Sequence, residues 1–506
     1  VIAHPPPGDS LRSADPVLRC VPRVAALLAP RRRALLVAMS AGALILGQGC
    51  NSSTPAAHPP TPVPDASTEA GGDASAEAST ADASAEAQAV KTWDWTGIVG
   101  TGQSLSVGAQ GSPIMATTQR HKNLKLSLGT AVVPPFDPTS SALSMVPLVE
   151  PIRGFAQTYP SAYPLNIDGE TPHTVMADQI TSLFQAAGGD DYVTVHTVVG
   201  ESGQPMSVID KTAVEVDDAG MSMGRAYAAT LFEASAVARL AVAAGKTYGI
   251  GAIVVTHGES DSGSLTYKKD LIQLWSDYNQ DLPALTGQTK TIPMLVSQQH
   301  SEPTGKGSTS PGTLAEWQAG IDHPGDIICS GPKYQYPYYL DGIHLTTPGY
   351  ERLGEKYAEV YFQKVVLGQN WQPLQPVSAS RAGSVITVHF HVPVLPLAWD
   401  DTLPAPHVGV YPEWAAARGF EVSTLSGTVT INSVVIQDDT VQITCATDVT
   451  GLFGLSVAYA YTADGVPAVP GATIRWGNLR DSDAFVGSVT GTAQPNYCVA
   501  FSMAVP

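Results

Sequence analysis

Basic side chains are scarce in this 506-residue chain: 27 Lys and Arg stand against 45 Asp and Glu, for a formal net charge of −18. The first 50 residues run against the trend with six basic and two acidic groups, and residues 51–90 carry six acidic and no basic ones, leaving −16 on residues 91–506. Nucleic-acid binding rests on clustered Lys and Arg that release phosphate counterions, so it is not expected of this body. Cysteine is scarce too, five in all, and their spacing follows no metal-ligand pattern; neither a metal nor another cofactor is expected. After residue 50 there is no uncharged apolar run of 18 or more residues, so no helical membrane span is expected there. There is no internal repeat. What the chain does have is 43% hydrophobic residues, enough for cores of ordinary size and too many for a disordered protein.

Composition divides the chain. Arg31, Arg32 and Arg33 precede a short apolar run from residue 34 to 47, and Cys50 follows in Leu46-Gly47-Gln48-Gly49-Cys50. A basic region, a short apolar region and small residues before a Cys resemble a bacterial lipoprotein signal, although the usual Leu three residues before the Cys is here Gly47. Residues 1–50 are therefore expected to be an export signal with Cys50 the lipidated residue; ordinary secretion and a plain membrane anchor are the alternatives. Membrane contact would then come only through the lipid. Residues 51–91, rich in Ala, Ser, Thr, Pro, Asp and Glu, have almost nothing to bury and read as an acidic, disordered tether. Of the three remaining cysteines, Cys445 and Cys498 lie in the last segment and are the expected pair if a disulfide forms.

From 92 to 368, β-branched apolar runs at 96–100, 192–199, 250–256, 292–297 and 326–329 alternate with helical stretches at 225–244, 265–282 and 349–366. Such alternation predicts a parallel sheet covered on both faces, with a site at the carboxyl ends of its strands. From 369 to 506 the pattern becomes period two, as at 384–391 and 428–436, broken by Gly, Pro and Asp turns, which predicts a small all-β sandwich serving as an accessory module.

Three polar segments fall where the sheet would place a site. Gly102-Gln103-Ser104 directly follows the first strand, where a Ser in a tight turn can present its hydroxyl near a helix N-terminus; a plain helix-capping Ser fits the same residues. Asp341-Gly342-Ile343-His344 puts a carboxylate three residues before an imidazole, close enough to fix its tautomer, although a surface His near a turn is equally consistent. His257-Gly258-Glu259 ends the third predicted strand, where packed polar groups are costly unless they serve a purpose.

In that order, the three segments resemble the SGNH-hydrolase superfamily, and within it the sialate O-acetylesterase-like carbohydrate esterases. The resemblance runs from Trp95 to Val366. It implies a flavodoxin-like three-layer α/β fold and a serine esterase acting on an acylated carbohydrate. Ser104 would be the nucleophile, His344 its base, and Asp341 the group orienting His344. It also implies that the oxyanion is held by the Ser104 N–H and by a glycine N–H in the block from 198 to 206, with Gly203 the better match and Gly200 the alternative. Relatives hold a Gln where this chain has His257, whose imidazole N–H could donate toward the oxyanion in its place. Glu259 would order the neighbouring loop.

Other candidates have ordinary explanations. Gly220-Met221-Ser222-Met223-Gly224 matches a nucleophile elbow but lacks the apolar strand that must precede it. Ser202 and Ser260 do not follow the first strand. His389 and His391 share a strand face without a third ligand, and Trp371, Trp399, Trp414 and Trp476 offer stacking faces for sugar only if they are exposed. The turn-rich run 477–483 resembles a segment that closes such secreted proteins. Two rival readings remain: a carbohydrate-binding lipoprotein that has lost the chemistry, and an esterase of lipid or polyester. The sequence is silent on oligomeric state.

Overall fold

A computed structural model describes residues 89–127, 136–152, 169–212, 224–301, 305, 307–464 and 475–506. The proposed signal and its Cys50, nearly all of the tether, and Ser222 lie outside the described residues.

Seven strands form the central sheet: β1 (Trp95–Gly102), β2 (Leu124–Leu126), β3 (Met145–Pro147), β4 (Thr194–Val198), β5 (Tyr248–Thr256), β6 (Met294–Gln298) and β7 (Ile327–Pro332). Their order is β3-β2-β4-β1-β5-β6-β7; every pairing is parallel except that of β2 with β3. β1, β4, β5, β6 and β7 are buried almost throughout, as the continuous apolar runs require of strands covered on both faces. Alternate residues feed opposite cores. Ile98, Val254 and Leu295 meet the helices α1 (Pro172–Ala186) and α6 (Thr347–Tyr361), whereas Val99, Ile253, Val255 and Val296 meet α3 (Arg225–Ala243), α4 (Tyr267–Thr286) and α5 (Pro311–Asp322). The short helix α2 (Met206–Ile209) follows β4. The expected three-layer α/β architecture is thus observed, with its five predicted strands present and β2 and β3 added at one edge.

Helix starts follow local chemistry. The Thr171 side chain accepts from the His173 N–H before Pro172 at the first turn of α1, and Ser310 does the same for Thr313 N–H before Pro311 of α5. By length and composition α3 is long and apolar enough to cross a membrane, but half of that stretch is buried inside this fold. Because β4 and β5 flank β1 on either side, the chain reverses its direction of winding at β1. The crevice at the carboxyl end of β1 is where α/β sheets place their ligands.

Beyond α6 lie two four-stranded antiparallel sheets, one holding Gln375–Ala382, Val385–His391, Ile431–Gln437 and Thr440–Cys445, the other Phe420–Thr424, Gly427–Thr428, Ser456–Tyr459 and Phe501–Ala504. Ile386, Val388 and Ile443 of the first share one core with Phe420, Val457 and Phe501 of the second. This region is braced to the α/β layer by polar groups as well. Lys356 on α6 reaches Glu359 (2.5 Å), the Gln494 carbonyl (2.9 Å) and Asn496 (3.0 Å), and Gln298 at the end of β6 exchanges two hydrogen bonds with Ala500. In the run 477–483, Asp481 is buried and accepts from the Asn496 and Val394 N–H groups.

Cys445 and Cys498, the pair expected if a disulfide formed, are both free and buried within the shared core, and Cys329 is free and buried in the α/β unit. Among the described residues no group of three His, Cys, Asp or Glu is placed to hold a metal, and His389 is solvent-exposed. Trp371, Trp414 and Trp476 are buried and offer no face to a sugar; Trp399 lies half-buried beneath the Arg418 guanidinium.

Candidate active site

The turn after β1 is built by glycine. Gly102 has φ +138°, and a Cβ there would sit 2.2 Å from the Thr256 carbonyl oxygen, so no other residue lets β1 and β5 run side by side into this turn. One residue later, the chain folds back on itself. The N–H groups of Val107 and Ala109 donate to the Ser104 carbonyl, and the Ser106 hydroxyl donates to the Gln103 carbonyl at 2.7 Å. The Ser104 side chain emerges at the carboxyl end of the sheet, and its own N–H donates to no group among the described residues.

The segment 338–345 delivers the imidazole. Tyr338 and Leu345 form an isolated bridge, the Tyr339 N–H donates to the His344 carbonyl at 2.7 Å, and the Ser301 hydroxyl props the Gly342 carbonyl from beneath at 2.9 Å. Within this loop one oxygen of Asp341 accepts the N–H groups of Ile343 (2.9 Å) and His344 (3.0 Å), and the other lies 2.7 Å from His344 Nδ1. Burial works against the Asp341 charge, but the hydrogen bonds from the His344 ring and from the two backbone N–H groups outweigh it and hold the carboxyl below its ordinary pKa. An ionised Asp341 takes the Nδ1 proton as its partner. That leaves the Nε2 lone pair facing outward, 2.8 Å from Ser104 Oγ.

A second backbone segment, 200–206, lines the crevice after β4. Its Glu201 N–H donates to the Gly102 carbonyl at 2.9 Å, and a Cβ on Gly200 would meet Ser106 Oγ at 1.9 Å, so the segment lies directly against the Ser104 turn. Gly203 sits at the exposed corner of the turn 201–204 with φ +75°, with no atom within 4 Å of where its Cβ would be. Its N–H has no partner among the described residues. Gly203 thus has the open N–H that a two-donor anion site would use, whereas Gly200 serves close packing.

His257 is fully buried and both its ring nitrogens are engaged. Nε2 is 3.0 Å from the Gln204 carbonyl oxygen, and Nδ1 is 2.9 Å from the Tyr267 hydroxyl. A carbonyl only accepts, so Nε2 carries the proton and Nδ1 accepts from Tyr267. Burial, with the Lys333 charge nearby, lowers the imidazole to about 4 against the opposing pull of the Gln204 carbonyl, keeping it neutral near pH 7. The sequence-based expectation of a His257 N–H aimed at an oxyanion differs from this arrangement, in which the proton is already committed to the 201–204 turn.

Glu259 engages both of its carboxylate oxygens. One oxygen accepts from Gln103 Nε2 at 2.9 Å and the other pairs with Lys333 Nζ at 2.6 Å, while Gln103 Oε1 accepts the Ser260 N–H at 3.1 Å. Gln103 is thereby fixed immediately before Ser104. Lys333 escapes sequence analysis: it lies outside every motif, and nothing but its burial after β7 distinguishes it from a surface lysine. Asp261, which closes the polar segment that follows β5, holds the Met206 N–H at 2.7 Å, and Tyr267, like Lys333, lies outside every motif. Glu201 is likewise buried in an ion pair with Arg225 at 2.5 Å.

No protein-family model matches this chain, and no curated protein does. Solved structures similar to it include a carbohydrate acetylesterase from Xanthomonas citri (14% identity, 81% of this chain and 80% of that one, TM-score 0.47). A protein from Arabidopsis thaliana is also similar (14%, 53% and 98%, TM-score 0.38), as is NanS (11%, 53% and 97%, TM-score 0.35).

Proposed function

We propose that this protein is a serine esterase that removes acyl groups, acetyl foremost, from carbohydrate. The observation that carries the reading is the unbroken relay of Ser104 Oγ, His344 and Asp341, with contacts of 2.8 and 2.7 Å, at the carboxyl end of β1. Ser104 Oγ attacks the ester carbonyl while His344 Nε2 takes its proton, and Asp341 stabilises the imidazolium that forms. The tetrahedral oxyanion is received by the N–H groups of Ser104 and Gly203, neither of which is occupied by another acceptor among the described residues. His344 then protonates the departing sugar alkoxide, and water, activated by the same imidazole, releases the carboxylic acid from the acyl-enzyme.

The carbohydrate half of the reading rests on the ordered motifs around Ser104, Glu259 and His344 and their resemblance to carbohydrate esterases. The export half rests on Cys50 and its flanking residues: a lipid-anchored body held off the membrane by the 51–91 tether meets glycans outside the cell. Purified residues 91–506 are expected to hydrolyse a short-chain aryl acetate and to be labelled at Ser104 by a fluorophosphonate. Comparison of acetylated sugars with aryl esters from acetyl to palmitoyl then fixes the acyl and alcohol classes. Absence of both hydrolysis and labelling would remove the reading, and a preference for long acyl chains would move it to lipid or polyester.

A further inference from the structure

The segment 200–206 has no regular hydrogen-bonded partner strand beyond β4, yet on the esterase reading its Gly203 N–H must hold a fixed place while charge develops on the substrate oxygen. Catalysis by prearranged donors depends on the donors not having to move, and misplacement by about 1 Å can cost on the order of 10²-fold in rate. The question is what fixes the turn. Its Glu201 end is tied to the Gly102 carbonyl and by the Glu201–Arg225 ion pair, and its Met206 end is tied to Asp261 at 2.7 Å. Between those ends, apart from the Val208 N–H that donates to the Pro205 carbonyl, the corner is held among the described residues by a weak 3.3 Å bond from the Gln204 N–H to the Glu201 carbonyl and by the His257 contact to the Gln204 carbonyl.

We infer that His257 is a positioning residue for the oxyanion site: its Nε2–H holds the Gln204 carbonyl and thereby sets the direction of the Gly203 N–H, without touching the substrate itself. Three features make the imidazole suitable. Its Nε2–H is directed at the turn because Nδ1 is held by the Tyr267 hydroxyl, which fixes ring and tautomer together. The Lys333 ammonium donates to the His257 carbonyl at 3.3 Å, anchoring the residue at the end of β5. Full burial also keeps the ring neutral near pH 7, so Nδ1 remains free to accept from Tyr267 while Nε2 donates. The same commitment means that His257 has no second proton to offer an oxyanion.

The inference rests on the esterase reading, and its test separates the two. The first measurement is a crystal structure of the wild-type protein after phosphonylation of Ser104 by a fluorophosphonate. The expected result is the phosphoryl oxygen within hydrogen-bond distance of the Ser104 and Gly203 nitrogens, with His257 Nε2 still on the Gln204 carbonyl. His257 Nε2 on the phosphoryl oxygen would overturn the inference, whereas failure to label Ser104 would overturn the esterase reading instead. The second measurement compares His257→Leu with His257→Gln on an aryl acetate. Loss of the donor in His257→Leu is expected to lower kcat about 10- to 100-fold with KM changed less than about threefold, and His257→Gln, which keeps an N–H donor, is expected to recover most of the loss. Equal kcat in wild type and a folded His257→Leu variant would also overturn it. Should His257→Leu fail to fold, the phosphonylated wild-type structure decides.

Discussion

His344 Nε2 lies 2.8 Å from Ser104 Oγ, although 240 positions separate the two residues in sequence. The contact exists because β1 occupies the middle of the sheet and α6 returns over the same face, so the turn after one and the loop before the other meet at the rim.

Substitution at either end of this contact should remove activity without removing the fold. Ser104→Ala is expected to abolish turnover, and His344→Ala to lower kcat by about 10²–10⁴-fold, the usual contribution of a positioned base. Asp341→Asn places an amide beside Nδ1 and favours the tautomer with its proton on Nε2, where it can no longer accept from Ser104; a loss of about 10²-fold or more is expected. Thermal unfolding followed alongside activity checks that the losses are chemical. Undiminished hydrolysis by Ser104→Ala would sink the assignment.

The ion pair of Lys333 with Glu259 makes a different prediction, because both side chains are almost fully buried. Removing one partner leaves a charge in low dielectric, which costs about 3–5 kcal/mol, whereas removing both costs much less. Lys333→Met alone should therefore strongly lower the urea midpoint. Adding Glu259→Gln, whose amide oxygen can still accept from Gln103, should restore much of it. Additive losses in the two single and the double variant would show that the pair is not coupled.

The elements that could be read from sequence are those whose residues are uniform in character. The runs that became β1, β5 and β6 are β-branched and apolar because both their faces are covered, and they were placed to within two or three residues. α1 is hard to read from sequence although Thr171-Pro172 is a start signal, because His173, Thr174, Asp178, Gln179 and Thr181 are buried in it and blur the apolar stripe. α5 carries a similar Ser310-Pro311 start signal. At the site, Ser104, Asp341 and His344 were legible because motif order constrains them. The direction of the His257 ring was not, since it depends on Gln204 and Tyr267, which local spacing does not bring together. Lys333 was invisible because burial, not residue type, gives it meaning.

The cysteines test the sandwich core. Cys445 and Cys498 are free and buried, and the Cys498 thiol donates to the Val499 carbonyl at 3.4 Å. Burial pushes both thiols above their ordinary range, which suppresses the reactive thiolate. Residues 91–506 should show no reaction with a thiol reagent when native, three thiols when unfolded, and no loss of stability on treatment with reductant. A fully unfolded protein with a single titratable thiol would restore the disulfide expected from sequence.

Stability should fall as pH rises toward neutrality, owing to carboxyl groups beside and within α1 and α6. Glu170 is buried with one oxygen accepting the Met115 and Ala116 N–H groups, and burial, aided by the Glu150 carboxylate, pushes its pKa up to about 7. In the adjoining cavity of about 520 Å³, burial similarly raises Glu351 to about 7 and Asp178 to about 6. A carboxyl with a higher pKa folded than unfolded binds its proton more tightly in the native state. Its favourable contribution is therefore complete below the unfolded value, near 4.5, and is lost as pH climbs to the folded value, near 7. For Glu170 alone a shift of this size corresponds to about 3 kcal/mol as an upper bound, shared among groups that titrate together. The thermal midpoint of the wild-type protein should accordingly drop between pH 5 and pH 8. Glu170→Gln keeps an oxygen to accept the two N–H groups but cannot ionise. It should flatten that slope and melt higher than wild type at pH 8, while differing little at pH 5. A variant whose midpoint tracks wild type at every pH would show that Glu170 ionises in the native state as freely as in the unfolded chain.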